Sequence, residues 1–174
     1  MILRFIHIMT LLVLCSPALS VDVERIEDLD VRYGQVESLD LNRYSKGGFI
    51  DAEIMVHEYR VGDEWPPSAR VGIMSEDRIH KVEVYVVNAK SDKGVVVGYR
   101  YFDNSQRNIQ RKILSHEIPE KEKIKLQIRW EQSGDVTVNV LGTTNTIKTG
   151  IVWASPYIFS SGTKAGFRVL HGEI

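Results

Sequence analysis

Cysteine is nearly absent from this sequence. The 174 residues hold one, Cys15, and it falls in an apolar N-terminal stretch that reads as removable. A chain without further cysteine has no disulfide staple and no thiol nucleophile. Its stability then rests on a core of adequate size. An excess of charge is missing too: 22 Lys and Arg stand against 23 Asp and Glu, without basic clustering, which argues against nucleic acid as a partner. No sustained helical stripe occurs, and after the N-terminal stretch no apolar run is long enough to cross a membrane. The expected mature chain therefore carries no transmembrane segment. His57, His80, His116 and His171 are scattered, without the H-x-x-x-H or H-E-x-x-H spacing that aims two imidazoles at one metal. No serine sits in G-x-S-x-G, and no glycine-rich loop opens a helix. The sequence thus implies no metal, no cofactor and no catalytic residue.

What is present begins with an export signal. Residues 1–20 read MILRFIHIMTLLVLCSPALS: one basic residue, Arg4, an apolar run, the helix breaker Pro17, then small residues at Ala18 and Ser20. This is the order of a cleavable secretory peptide. Cleavage after Ser20 leaves Val21 first in a mature chain of 154 residues with 21 basic and 23 acidic side chains, one domain over 21–174. A lipoprotein reading through Cys15 is disfavoured, because bulky Leu14 precedes it. The expected destination is periplasmic or secreted.

The dominant pattern beyond residue 21 is alternation with period two, which places one set of side chains on a buried sheet face. Ile50, Ala52, Ile54 and Val56 alternate with Asp51, Glu53, Met55 and His57. The same period runs through Val82, Val84 and Val86, then Ile124, Leu126, Ile128 and Trp130, then Val136, Val138 and Val140. Residues 70–74, 94–102 and 166–170 read as further strands, and 23–30 as a strand or a short helix. Turn residues separate these runs, including Ser91-Asp92-Lys93-Gly94 and Gln132-Ser133-Gly134-Asp135. Many short strands spaced about ten residues apart predict an all-β, antiparallel sandwich or barrel.

The order of strands over residues 48–170 resembles the concanavalin A-like lectin/glucanase sandwich, the jelly-roll group that includes laminin G-like domains. Three stretches carry the resemblance: 48–59 leading through a Trp-containing loop to 69–73, the pair 82–87 and 95–101, and 125–130 with its glycine turn into 135–141. Ser161-Gly162-Thr163-Lys164-Ala165-Gly166-Phe167 is similar to that group's closing strand. The resemblance implies a jelly-roll sandwich. The glucanase branch's E-x-D-x-x-E or E-x-D-x-E strand is absent, as is the Asp/Asn-rich metal loop of legume lectins, so neither activity is implied.

The polar face of the alternating strands is the candidate ligand surface. Asp51, Glu53 and His57 share one side of a strand, Glu83 and Tyr85 one side of another, Tyr99 and Tyr101 one side of a third. Were these strands neighbours, acids and tyrosines would converge. Two carboxylates about 5–10 Å apart could then act on a glycosidic bond, and tyrosines could stack on sugar rings or line a peptide groove. The plainer alternative is a solvated face with cross-strand charge pairs. Trp65, in 62–67, and Trp153 with Tyr157, in 153–157, read as loop aromatics, either binding anchors or plugs over the sandwich ends. Trp130 follows the core phase. Arg100, Arg107, Arg111 and Lys112 form a short basic group, balanced by Glu117, Glu120 and Glu122, that reads as a solvated hairpin end. The leading expectation is an exported, non-catalytic binding module for a glycan or another extracytoplasmic protein. The alternatives are a periplasmic inhibitor of the immunity type, and a glycoside hydrolase or lyase using Asp51, Glu53 or Glu83.

Overall fold

The computed structural model describes residues 22–60, 62, 65–88, 95–104, 108–119 and 121–174; the expected export signal lies outside them. Twelve strands follow in order: β1 (Val23–Asp30), β2 (Val36–Asp40), β3 (Gly48–Tyr59), β4 (Ser68–Ser75), β5 (His80–Asn88), β6 (Val95–Asp103), β7 (Asn108–Ile118), β8 (Lys123–Trp130), β9 (Asp135–Val140), β10 (Thr143–Lys148), β11 (Ala154–Ser161) and β12 (Thr163–Glu173). They form two six-stranded antiparallel sheets, ordered β1-β12-β3-β8-β9-β10 and β2-β11-β4-β5-β6-β7. Residues 23–30 are thus a strand, not a helix.

The period-two reading sets the core. Ile50, Ala52, Ile54 and Val56 of β3 meet Val82, Val84 and Val86 of β5, with Ile124, Leu126, Ile128 and Trp130 of β8 alongside. Trp130 and Phe167 are the largest fully buried side chains among the described residues. The Trp130 indole N–H donates to the Ser45 carbonyl at 3.3 Å, so its polar tip is satisfied. On the edge strand β1, Arg25 and Glu27 stand in phase with the core residue Leu29. Inward-phase charges at a sheet edge oppose pairing with another chain.

The structure departs from the sequence reading at 153–157. Ala154 to Ser161 is β11, an interior strand paired to β4 on one side and β2 on the other, and Pro156 lies within it. The Pro156 carbonyl accepts from Leu41 N at 2.9 Å, so this residue's backbone polar groups point toward the β2 side. There β2 has already ended at Asp40, so the N–H that proline lacks falls at the end of the ladder and not within it.

His171 carries a consequence for acid stability. It sits in the core phase of β12 at 1% exposure, opposite Ile50 and Val23. Neither ring nitrogen has a partner among the described residues. Burial, with help from the Arg25 charge, pushes its pKa below the usual imidazole value. The unfolded ring takes up a proton below about pH 6.5 while the folded ring resists it. Stability is therefore complete above that pH and falls as the pH drops toward the lowered folded value. His171→Leu is expected to flatten the fall in urea midpoint between pH 7 and pH 5 by up to one proton's worth, about 1.4 kcal/mol per pH unit. An unchanged slope would mean that the ring is protonated when folded.

Candidate functional site

The outward side chains of the β2-to-β7 sheet fall into registered rows. One row runs Asp40, Tyr157, Gly72, Glu83, Arg100, Arg111 across β2, β11, β4, β5, β6 and β7. The next runs Ser38, Phe159, Arg70, Tyr85, Gly98. A third holds Met74, Lys81 and Phe102. Members of all three rows, Arg70, Glu83, Arg100, Phe102, Tyr157 and Phe159 among them, line an open cleft of about 500 Å³, and Arg111, at the β7 end of the first row, is not part of its wall.

Glu83 is the hub of this face, at 4% exposure. One carboxylate oxygen accepts from Arg100 Nε at 2.6 Å and the other from the Tyr157 hydroxyl. Arg70 approaches to 3.9 Å, beyond hydrogen-bond reach. Gly72 makes the arrangement feasible. A Cβ there would stand 2.5 Å from the Val82 carbonyl oxygen and 3.1 Å from Glu83 Cγ, filling the gap across which Tyr157 reaches Glu83. Burial, then the Glu83 charge, raises the Tyr157 pKa well above that of a free phenol, so its hydroxyl stays a proton donor at neutral pH. Burial lowers the Arg70 pKa, against the pull of Glu83. Each guanidinium lies on an aromatic ring: Arg70 over Phe159 and Arg100 over Phe102, both at 4.3 Å. Such stacking holds a planar cation in a fixed orientation.

The residues singled out in the sequence separate into several places. Glu83, Tyr85 and Tyr157 belong to this cleft face, where Tyr85 lies across Gly98 with Arg100 5.9 Å from its ring. Tyr99 and Tyr101 do share one side of β6, but it is the core side. The Tyr101 hydroxyl donates to the Thr149 carbonyl at 3.0 Å and meets His80 Nδ1 at 3.0 Å, which satisfies a buried phenol.

Asp51, Glu53 and His57 stand on β3, in the other sheet, and face outward from it. The opposed carboxylate pair that would join Asp51 or Glu53 to Glu83 is therefore ruled out: a full sandwich lies between them. The β3 face carries the cross-strand charge pairs of a solvated sheet. Lys123 and Lys125 both reach Glu53 at 3.6 Å, Gln127 donates to Asp51 at 3.1 Å, and Arg168 meets Glu24 at 2.6 Å.

Trp65 and Trp153 are 40% and 42% exposed, so neither is a buried plug. They cannot share a site. Trp65 precedes β4 and Trp153 precedes β11, and these strands run antiparallel, which puts the two indoles at opposite ends of the sheet. The basic group read as a hairpin end is divided: Arg100 is in the middle of the sheet, Arg111 faces it from β7, and Arg107 lies outside the described residues. Sequence reasoning missed Arg70, Phe102 and Phe159. The signal for Arg70 and Phe102 was available as the complementary phase of the strands at 70–74 and 94–102, whereas Phe159 lies on β11, which did not read as a strand. Among the described residues no group of three His, Cys, Asp or Glu could hold a metal ion, and no helix is long and apolar enough to cross a membrane.

The sequence matches no family model and no curated protein sequence. Solved structures do match. The carbohydrate-binding module CBM66 from Bacillus subtilis aligns at TM-score 0.52 and 10% identity, over 84% of this chain and 91% of that one. LamAcat from Zobellia galactanivorans aligns at TM-score 0.53 and 7% identity, over 79% and 68%. An alginate lyase from Alteromonas sp. 272 aligns at TM-score 0.46 and 18% identity over 71% of this chain, which spans about half the length of that lyase, 53%. Identities this low speak to the fold alone. Two antiparallel six-stranded sheets in this order, aligning with the first two of those structures, give the chain the fold of a concanavalin A-like jelly-roll sandwich.

Proposed function

We propose that this chain is an exported, non-catalytic glycan-binding module whose binding surface is the outer face of the β2-to-β7 sheet. The observation that carries the reading is the open cleft there, floored by oriented guanidinium groups on aromatic rings around Glu83. Fixed planar donors in an open groove suit hydroxyl-rich ligands, which need many directed hydrogen bonds and little apolar enclosure. The carbohydrate-binding module named above has the same architecture and supports the reading by analogy. Export rests on residues 1–20, and Val21 is the expected first residue of the mature protein.

A glycan library covering neutral and acidic oligosaccharides tests the binding reading by thermal shift and calorimetry. At least one class should raise the melting temperature. Phe102→Ala and Phe159→Ala should weaken that ligand about tenfold by freeing the arginines they support, while Asp51→Asn and Glu53→Gln leave it unchanged. Binding lost only in the two β3 variants would move the site to the other sheet. A library with no ligand would overturn the reading in favour of a protein partner.

A further inference from the structure

We infer that the ligand of this cleft is an anionic glycan, whose oxyanions are held by the Arg70 and Arg100 guanidinium groups that line it and by Arg111, which stands across from Arg100 on the same sheet face. The inference rests on the glycan-binding reading and narrows it to a chemical class.

Three independent features point to an anion. The first is charge count. Arg70, Arg78, Lys81 and Arg100 line the cleft against two carboxylates, Asp40 and Glu83. Glu83 is buried at the floor, and the contact of Asp40 with Arg78 is a loose 3.9 Å. On the opposite sheet Lys123, Lys125 and Arg168 are matched across strands by Glu53 and Glu24.

The second feature is register. Arg100 on β6 stands directly across from Arg111 on β7, so both point to the same face. Their charges act together on the Tyr85 phenol. Like charges at directly opposed sheet positions are unfavourable, and an anion placed between them removes that repulsion.

The third is unspent hydrogen-bonding capacity. Glu83 engages Arg100 through Nε and so leaves its terminal nitrogens for another acceptor. Arg70 has no ion pair closer than 3.9 Å, and its Nε is buried without a partner among the described residues. A guanidinium stacked on a ring, with its outer edge uncommitted, is already arranged for bidentate contact with a carboxylate or sulfate. A sugar bearing such a group supplies the anion, and its hydroxyls suit the open remainder of the groove. An acidic peptide would supply anions as well, but its apolar side chains would find little apolar enclosure here.

Calorimetry on the full mature chain with four probes tests this. The probes are a hexamer of galacturonic acid, its carboxyl-reduced neutral counterpart, a sulfated chondroitin hexamer and a hexaglutamate peptide. One of the two acidic sugars should bind, at least tenfold more tightly than the neutral hexamer, and should weaken tenfold or more between 50 and 500 mM salt. Arg111→Ala, an exposed change that need not disturb the fold, should cost that ligand about tenfold. Preference between the two acidic sugars decides whether carboxylate or sulfate is the oxyanion. Equal binding of the acidic and neutral hexamers would overturn the inference and leave the glycan-binding reading standing. Hexaglutamate binding with no sugar binding would overturn both. If none of the four binds, the inference fails, and the wider glycan library then decides the reading beneath it.

Discussion

Glu83→Ala is expected to lower the melting temperature by roughly 10 °C. Glu83 is almost completely buried, and its two oxygens accept from Arg100 and from Tyr157. Truncation leaves the Tyr157 hydroxyl without its acceptor and puts Arg70 and Arg100 side by side with no counter-charge. Removing one member of a buried ion pair costs about 3–5 kcal/mol, because the survivor stays desolvated. The Arg70 and Arg100 side chains keep 22% and 25% exposure, so water recovers part of that and the lower end applies. For a chain of this length each kcal/mol moves the melting temperature by about 2–4 °C, which gives the figure above. Glu83→Gln keeps the volume and an acceptor for Tyr157, and should cost distinctly less. Combining Glu83→Gln with Tyr157→Phe should be non-additive by about 0.5 kcal/mol or more, the mark of groups in one network. A melting point within 2 °C of wild type for Glu83→Ala would show that the cleft is not organised around this carboxylate.

Strands with strict alternation were readable in the sequence because burial on one face forces it. β8 and β9 carry branched or aromatic residues in one phase and polar residues in the other, and β3 and β5 do so with a few exceptions such as Met55 and Val87. The strands that escaped reading lack that contrast. β10 is Thr-Thr-Asn-Thr-Ile-Lys, an edge strand with one buried residue. The turn that creates it is Leu141-Gly142, with φ of 52° and 74°. Positive φ at both central residues suits a tight hairpin, but leucine does not announce it. β11 was hidden by Pro156, which only its position beyond the end of β2 makes acceptable.

The site was partly legible for a related reason. Phase along a strand says which residues share a face, and it placed Glu83 with Tyr85 correctly. Phase says neither which face is the core nor which strands adjoin. Tyr99 and Tyr101 were in one phase, but Val95 and Val97 share it and turn it inward. Asp51 and Glu53 were grouped with Glu83 because their strands alternate alike, yet β3 and β5 belong to different sheets. Adjacency is set by long-range pairing, such as β12 entering between β1 and β3, which no local pattern encodes.

The same long-range pairing creates the other large expected effect, at Trp130. This residue ends β8 directly opposite Gly48, the first residue of β3, and its ring lies over that glycine. A Cβ at position 48 would come within 2.6 Å of the ring and of the Gly172 carbonyl oxygen. Trp130→Ala removes one of the two largest fully buried side chains among the described residues and leaves the Ser45 carbonyl without its indole donor. Truncations of this kind cost about 3–5 kcal/mol, and urea denaturation should show it as a lower midpoint at unchanged slope. Gly48→Ala should cost about 1–3 kcal/mol in the wild type through overpacking. The two changes should not add, since a methyl group at 48 occupies space that the missing ring has vacated. In the Trp130→Ala background the penalty of Gly48→Ala should therefore shrink by about 1 kcal/mol or more. Equal penalties in both backgrounds would mean that the Gly172 carbonyl of β12, and not the indole, is what requires glycine at the start of β3.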